Sequence, residues 1–146
     1  MRVVIQRVKE AQVKVEGKSV GQIAQGLLVF LGVARGDNTL AADHLVKKIT
    51  ELRIFEDAQG KMNVSAMEAK AEFLVVSQFT LYGNCDKGRR PSFDEAADPK
   101  LGEELYEYFV AQLKATGVKV ETGKFRAMMD VSLINDGPVT FIIDSK

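Results

Sequence analysis

A chain of 146 residues, 46% of them hydrophobic, has the length of one ordinary domain and enough apolar surface for one core. Its 20 Lys and Arg balance 20 Asp and Glu beside a single His, so no global basic field exists and any nucleic-acid contact has to be local. The longest apolar stretch, residues 27–34, is interrupted by Gly32 and falls well short of the roughly 20 residues of a membrane span; no apolar leader follows Met1, and Cys85 is the only cysteine, so a cytoplasmic protein without internal disulfides is expected.

The chain opens with strand-like alternation. Val4, Gln6 and Val8 face opposite Val3, Ile5 and Arg7, and Val13 and Val15 follow a short break at Lys9-Glu10-Ala11, which predicts a hairpin there. Gly17 and Gly21 punctuate a second pair over residues 19–24 and 27–33. The latter is so continuously apolar that it reads as a central strand buried on both faces. From Thr39 the period becomes helical, with Leu45, Ile49 and Leu52 on one side and Asp37, Asn38 or Thr39 as the cap. A strand over residues 53–56 leads to a turn at Asp57-Ala58-Gln59-Gly60, and residues 73–77 read as another buried strand. A second helix is marked by Asp98 as N-cap, Pro99 at its first position, Leu101, Leu105, Phe109 and Leu113 every four residues, and Gly117 at its close. Two last strands, residues 130–134 and 139–143, flank Asn135-Asp136-Gly137-Pro138. The expected fold is a single α+β domain over residues 1–146, a mostly antiparallel, partly barrel-like sheet carrying two main helices.

Side chains of the usual catalytic kinds are sparse. His44 lies at the margin of the first helix's apolar stripe, and Cys85 stands in a loop without a partner, so no triad is visible. No spacing of His, Cys and carboxylates resembles a metal site, and no glycine-rich phosphate loop occurs; neither metal nor cofactor is expected. Two polar segments at strand ends remain, Ser77-Gln78-Phe79-Thr80-Leu81-Tyr82 and Asn135-Asp136-Gly137-Pro138-Val139-Thr140. Each admits a bland reading, a strand leaving the core through a bulge and a tight turn, and a functional one as a presented site.

At these segments the chain resembles the D-aminoacyl-tRNA deacylase family in its widespread bacterial and eukaryotic form. The match includes Arg2-Val3-Val4-Ile5-Gln6-Arg7-Val8, Gly26-Leu27-Leu28-Val29, Arg53-Ile54-Phe55, Gly60-Lys61-Met62-Asn63, Arg90-Pro91-Ser92-Phe93 and both polar segments, and so covers essentially the whole chain. The resemblance implies a homodimer that hydrolyses the ester between a D-amino acid and the terminal adenosine of tRNA. It implies that Ser77, Gln78, Phe79 and Thr80 surround the scissile ester, their backbone N–H groups serving as oxyanion donors, and that Gly137-Pro138, joined by a cis peptide bond, enters the other subunit's site. The substrate's own 2′-hydroxyl is implied as the group that helps activate water; Thr80 as nucleophile ranks second, since no base lies in its segment. Phe125 and Met129 are implied as lining of the adenine or amino-acid pocket, or simply as core, and Arg7 as a brace for the Gly-Pro loop. Lys87, Arg89 and Arg90 would hold phosphates of the acceptor end. One departure stands out: the family pattern has a small residue at position 126 and an acidic one at 128, where this chain has Arg126 and Met128. Two other duties fit the same residues, removal of glycine mischarged on tRNA and non-catalytic binding of nucleotides or amino acids.

Overall fold

The computed structural model describes residues 1–145. Its axis is β1 (Arg2–Val15), whose buried residues Val3, Ile5, Val8, Ala11 and Val13 belong to both faces of the sheet. β2 (Lys18–Ile23) and β3 (Gly26–Gly32) lie end to end along one edge of β1, both antiparallel to it, and β8 (Asp130–Asp144) runs antiparallel along the other. Beyond β3 the sense changes: β6 (Glu72–Ser77) pairs parallel with β3, and β7 (Val120–Thr122) parallel with β6. A small hairpin, β4 (Phe55–Glu56) and β5 (Met62–Val64), stands apart.

Two helices, α1 (Thr39–Glu51) and α2 (Pro99–Ala115), cover one face. Leu45 and Ile49 of α1 and Phe109 and Leu113 of α2 pack on Val3, Ile5, Leu27, Val29, Leu31, Phe73 and Val75. The opposite face curls over a second cluster containing Val8, Val13, Ile23, Leu28, Leu74 and Val76, which explains why β3 is apolar at every position. The curl brings β2 against β7. A Cβ on Gly21 would overlap the Thr122 carbonyl oxygen, so only glycine permits this close approach, and the sheet becomes nearly barrel-shaped. Each helix has a side-chain cap. Asn38 accepts a hydrogen bond from the Ala41 N–H (3.2 Å), and Asp98 accepts from the Lys100 and Leu101 N–H groups (3.0 and 3.1 Å).

The α+β architecture with two main helices is as expected, but the sheet is mixed and several boundaries move. No hairpin breaks the first strand at Lys9-Glu10. β1 continues to Val15, its partner β8 absorbing the irregularity through register shifts around Val8, and the chain reverses instead at Glu16 and Gly17, both at positive φ. The last two expected strands are one. β8 keeps its direction while residues 136–139 bulge outward between the pairs Val8↔Asn135 and Gln6↔Thr140. The strand expected over 53–56 shrinks to Phe55–Glu56, and the short β5 and β7 have no counterpart in the sequence reading.

Candidate active site

The parallel strands β3, β6 and β7 end at one edge of the sheet, and a cleft of about 1030 Å³ opens there. β6 delivers Ser77 to it. After Gln78 the chain tightens into a 3-10 turn, Phe79–Tyr82, in place of a continuing strand. The turn decides which backbone groups are free. The Gln78 N–H donates to the Leu31 carbonyl (2.8 Å) and the Leu81 N–H to the Gln78 carbonyl (3.2 Å), whereas the N–H groups of Phe79 and Thr80 meet no acceptor among the described residues. The Gln78 side-chain amide donates to the Thr80 hydroxyl.

The cleft wall is aromatic and thioether. Phe79 stands edge-on to Phe93, ring centres 5.0 Å apart, and Phe125 and Met129 line the cleft as well. Phe125 leans on Tyr106 in the middle of α2, whose buried hydroxyl donates to the Val75 carbonyl (3.0 Å) of β6, so the ring is backed by that helix and strand. Met129 also packs against the second core cluster, and core packing and cleft lining therefore coexist in both residues. Ionisable groups are few: Arg35, Asp98 and Arg126. Asp98 Oδ1 accepts both hydrogen bonds of the α2 cap. Burial pushes the nearby Tyr82 and Tyr106 hydroxyls up to about 12, further above the neutral range than an ordinary tyrosine. His44 is exposed on α1 and Cys85 is exposed in its loop. Among the described residues no three His, Cys, Asp or Glu side chains gather as metal ligands, and no helix is long and apolar enough to cross a membrane.

The residues singled out in the sequence fall into three places. Ser77, Gln78, Phe79, Phe125 and Met129 share the cleft, with Thr80 at its margin bonded to Gln78. Gly137 and Pro138 do not line it: they are exposed at the tip of the β8 bulge, joined by a cis peptide bond. Arg7 sits beneath that bulge, buried, its Nε donating to the Asp136 carbonyl (3.0 Å) and its Nη1 to the Ile54 carbonyl (2.7 Å), with the Asp136 and Glu56 carboxylates 3.6 and 3.8 Å away. Lys87, Arg89 and Arg90 are exposed on a loop that the Asn84 and Ser92 backbones close with two hydrogen bonds; the loop returns to the cleft through Phe93. Sequence reasoning did not place Arg35, Phe93 or Arg126 in the site. Phe93 lay within a matched segment and Arg126 was the departure from the pattern, which are the signals that pointed to them.

Flat apolar walls suit a planar ring, and unpaired amides beside them suit a developing negative charge. Such a make-up can serve acyl transfer with backbone dipoles as the oxyanion donors. The chain belongs to the D-Tyr-tRNA(Tyr) deacylase family, whose model matches residues 4–144. It is 64% identical over its full length to the D-aminoacyl-tRNA deacylase of Desulfatibacillum aliphaticivorans, covering 100% of both chains, and 60% identical to that of Geotalea uraniireducens, covering 99% of this chain and 94% of the other. Among solved structures, that of a c-Myc DNA unwinding element binding protein superposes with a TM-score of 0.94 at 40% identity, covering 100% of this chain and 99% of the other.

Proposed function

We propose that the protein hydrolyses the ester of D-aminoacyl-tRNA, releasing free D-amino acid and tRNA, and that residues 1–146 act as one deacylase domain. The observation that carries this reading is the pair of unpaired Phe79 and Thr80 amides at the end of β6, beside a cleft wall of Phe79, Phe93, Phe125 and Met129. Those amides stabilise the oxyanion of the tetrahedral intermediate, and the rings take the terminal adenine or the amino-acid side chain. Ser77 and Gln78 border the ester. Among the described residues no His, Cys or Lys lines the cleft, and its one carboxylate, Asp98, holds the start of α2 through Oδ1; the attacking water loses its proton with help from the substrate's 2′-hydroxyl. No metal or cofactor takes part in this scheme. Non-catalytic binding is disfavoured by the family membership; glycine removal would use the same amides and cleft. The DNA-related name of one structural neighbour finds no counterpart in this chain's balanced charge.

The working unit is a homodimer in which Gly137-Pro138 of one protomer enters its partner's cleft. Two observations support it. The bulge is exposed and lines no part of its own cleft, and β8 has a single partner, β1, with Ile134, Phe141 and Ile142 exposed along it, an apolar edge that a lone chain would leave as a liability. Lys87, Arg89 and Arg90 extend the grip to the acceptor end, and the work is done in the cytoplasm, where aminoacyl-tRNA is used. Sedimentation of the active protein is expected to give twice the monomer mass; full activity in a species that sediments as a monomer would remove the crossing loop from the site.

The direct test is release of amino acid from matched D- and L-tyrosyl-tRNA by the purified protein, where cleavage of the D ester only is expected. Equal cleavage, or none, would refute the reading. Thr80→Ala is expected to keep most of the activity, within about threefold, because the backbone amide survives the substitution and no base was available to activate the hydroxyl. A loss of 10²-fold or more would restore Thr80 as the nucleophile.

A further inference from the structure

We propose that Arg126 and Arg35 form a phosphate-binding pair at the mouth of the cleft, holding the sugar–phosphate backbone of the single-stranded acceptor end. The inference rests on the deacylase reading and assigns two residues that neither the motif segments nor the basic loop include.

The backbone at Arg126 is unusual. The Ala127 N–H donates to the Lys124 carbonyl (3.2 Å), closing a four-residue turn, and Arg126 occupies the third position at φ +63°. A turn of this type II kind calls for glycine there, because a Cβ crowds the backbone in the left-handed region. The chain keeps an arginine where glycine would be easier. Nothing inside the protein accounts for it: among the described residues the Arg126 guanidinium makes no hydrogen bond and no ion pair, and Met128 beside it is 92% exposed. A strained position whose side chain serves no internal partner points outward to a ligand.

Arg35 has the matching position. In the strand order β3, β6, β7, the Ser77-Gln78-Phe79 segment leaves the middle strand, Arg35 follows β3 on one side, and Arg126 follows β7 on the other. The Arg35 backbone is fixed by its N–H donating to the Glu95 carbonyl (2.9 Å), while its side chain, exposed and lining the cleft, also has no carboxylate partner among the described residues. The carboxylate that shares the cleft, Asp98, holds the α2 cap through Oδ1 and forms no ion pair with either arginine among the described residues. Two free guanidinium groups therefore bracket the place where the terminal ribose ester would lie, and the strand leading to that ribose carries phosphates past them. A guanidinium fork matches a phosphodiester in shape and charge.

The test compares D-tyrosyl-tRNA with D-tyrosyl-adenosine, the same ester without any phosphate, for wild type, Arg126→Gly and Arg35→Gln. Wild type is expected to favour the tRNA ester in KM, and each substitution to narrow that preference about tenfold, the size of one lost charge-assisted contact. The salt dependence of KM on tRNA should also flatten, by about 0.7 in log-log slope per lost phosphate contact. Thermal unfolding separates binding from folding: Arg126→Gly is expected to hold or raise Tm, because it relieves the left-handed arginine. An unchanged preference in active variants, or a lowered Tm for Arg126→Gly, would overturn the proposal. Wild type inert on both esters would instead overturn the deacylase reading, and this pair with it.

Discussion

D-Tyrosyl-tRNA ending in 2′-deoxyadenosine is expected to be hydrolysed about 10² to 10⁴-fold more slowly than the ordinary substrate, a barrier increase of about 3 to 5 kcal/mol. The size follows from what the cleft lacks. Of the ionisable groups that line it, two are arginines and the third, Asp98, has its Oδ1 bonded to two backbone N–H groups of α2. Tyr82 and Tyr106 are protonated at neutral pH, burial pushing both further up, to about 12, and the Thr80 hydroxyl already accepts from Gln78. In the proposed mechanism proton transfer from the attacking water falls to the substrate, whose 2′-hydroxyl is the group next to the ester. Single-turnover rates on the two esters decide the matter. Equal rates would mean that a protein group activates the water and that the amides of Phe79 and Thr80 are only part of the machinery.

The elements legible in the sequence are those whose signals are local. Asp98-Pro99 with a four-residue apolar repeat can only begin a helix like α2, and the unbroken run in β3 matches a strand with a core on each face. What could not be read depends on partners far along the chain. Lys9-Glu10 looks like a break because its side chains are polar, yet β8 and its register shifts keep the strand going; residues 136–139 look like a turn because they contain Asp-Gly-Pro, yet β8 resumes its pairing with β1 beyond them. β7 offers three half-buried residues, too few for any period to show, and exists because β6 supplies its ladder. The site divides in the same way. The two polar segments at strand ends were visible, but the cleft also draws Arg35, Phe93 and Arg126 from three loops that only the strand order brings to one edge.

Gly137→Ala is expected to lower kcat/KM on D-tyrosyl-tRNA about 10²-fold, without making the protein an efficient L-deacylase. Gly137 has φ +148°, and a Cβ there would come within 2.6 Å of Val139 Cγ2 and 2.8 Å of the Val139 nitrogen. The bulge has little freedom to relieve that contact. The Val139 N–H donates to Asn135 Oδ1 (2.7 Å), Asn135 Nδ2 reaches Thr140 Oγ1 (3.0 Å), and Arg7, buried below, donates to the Asp136 carbonyl (3.0 Å). Alanine must therefore displace the Gly-Pro tip as a unit, and a shift of about 1 Å at a positioning group costs on the order of 10²-fold in rate. In the proposed dimer the carbonyls of Gly137 and Pro138 receive the substrate's ammonium group, which brings backbone close to Cα. An L side chain would then run into that backbone, while a D side chain points away. The substitution moves this obstruction without removing it, so the L ester stays excluded even as the D ester loses its seat. Measuring kcat/KM on matched D- and L-tyrosyl-tRNA for wild type and variant tests both halves. An unchanged D rate would make Gly137 a turn residue only, and a large rise in the L rate would show that displacing the tip removes the obstruction, against the expected exclusion of the L ester.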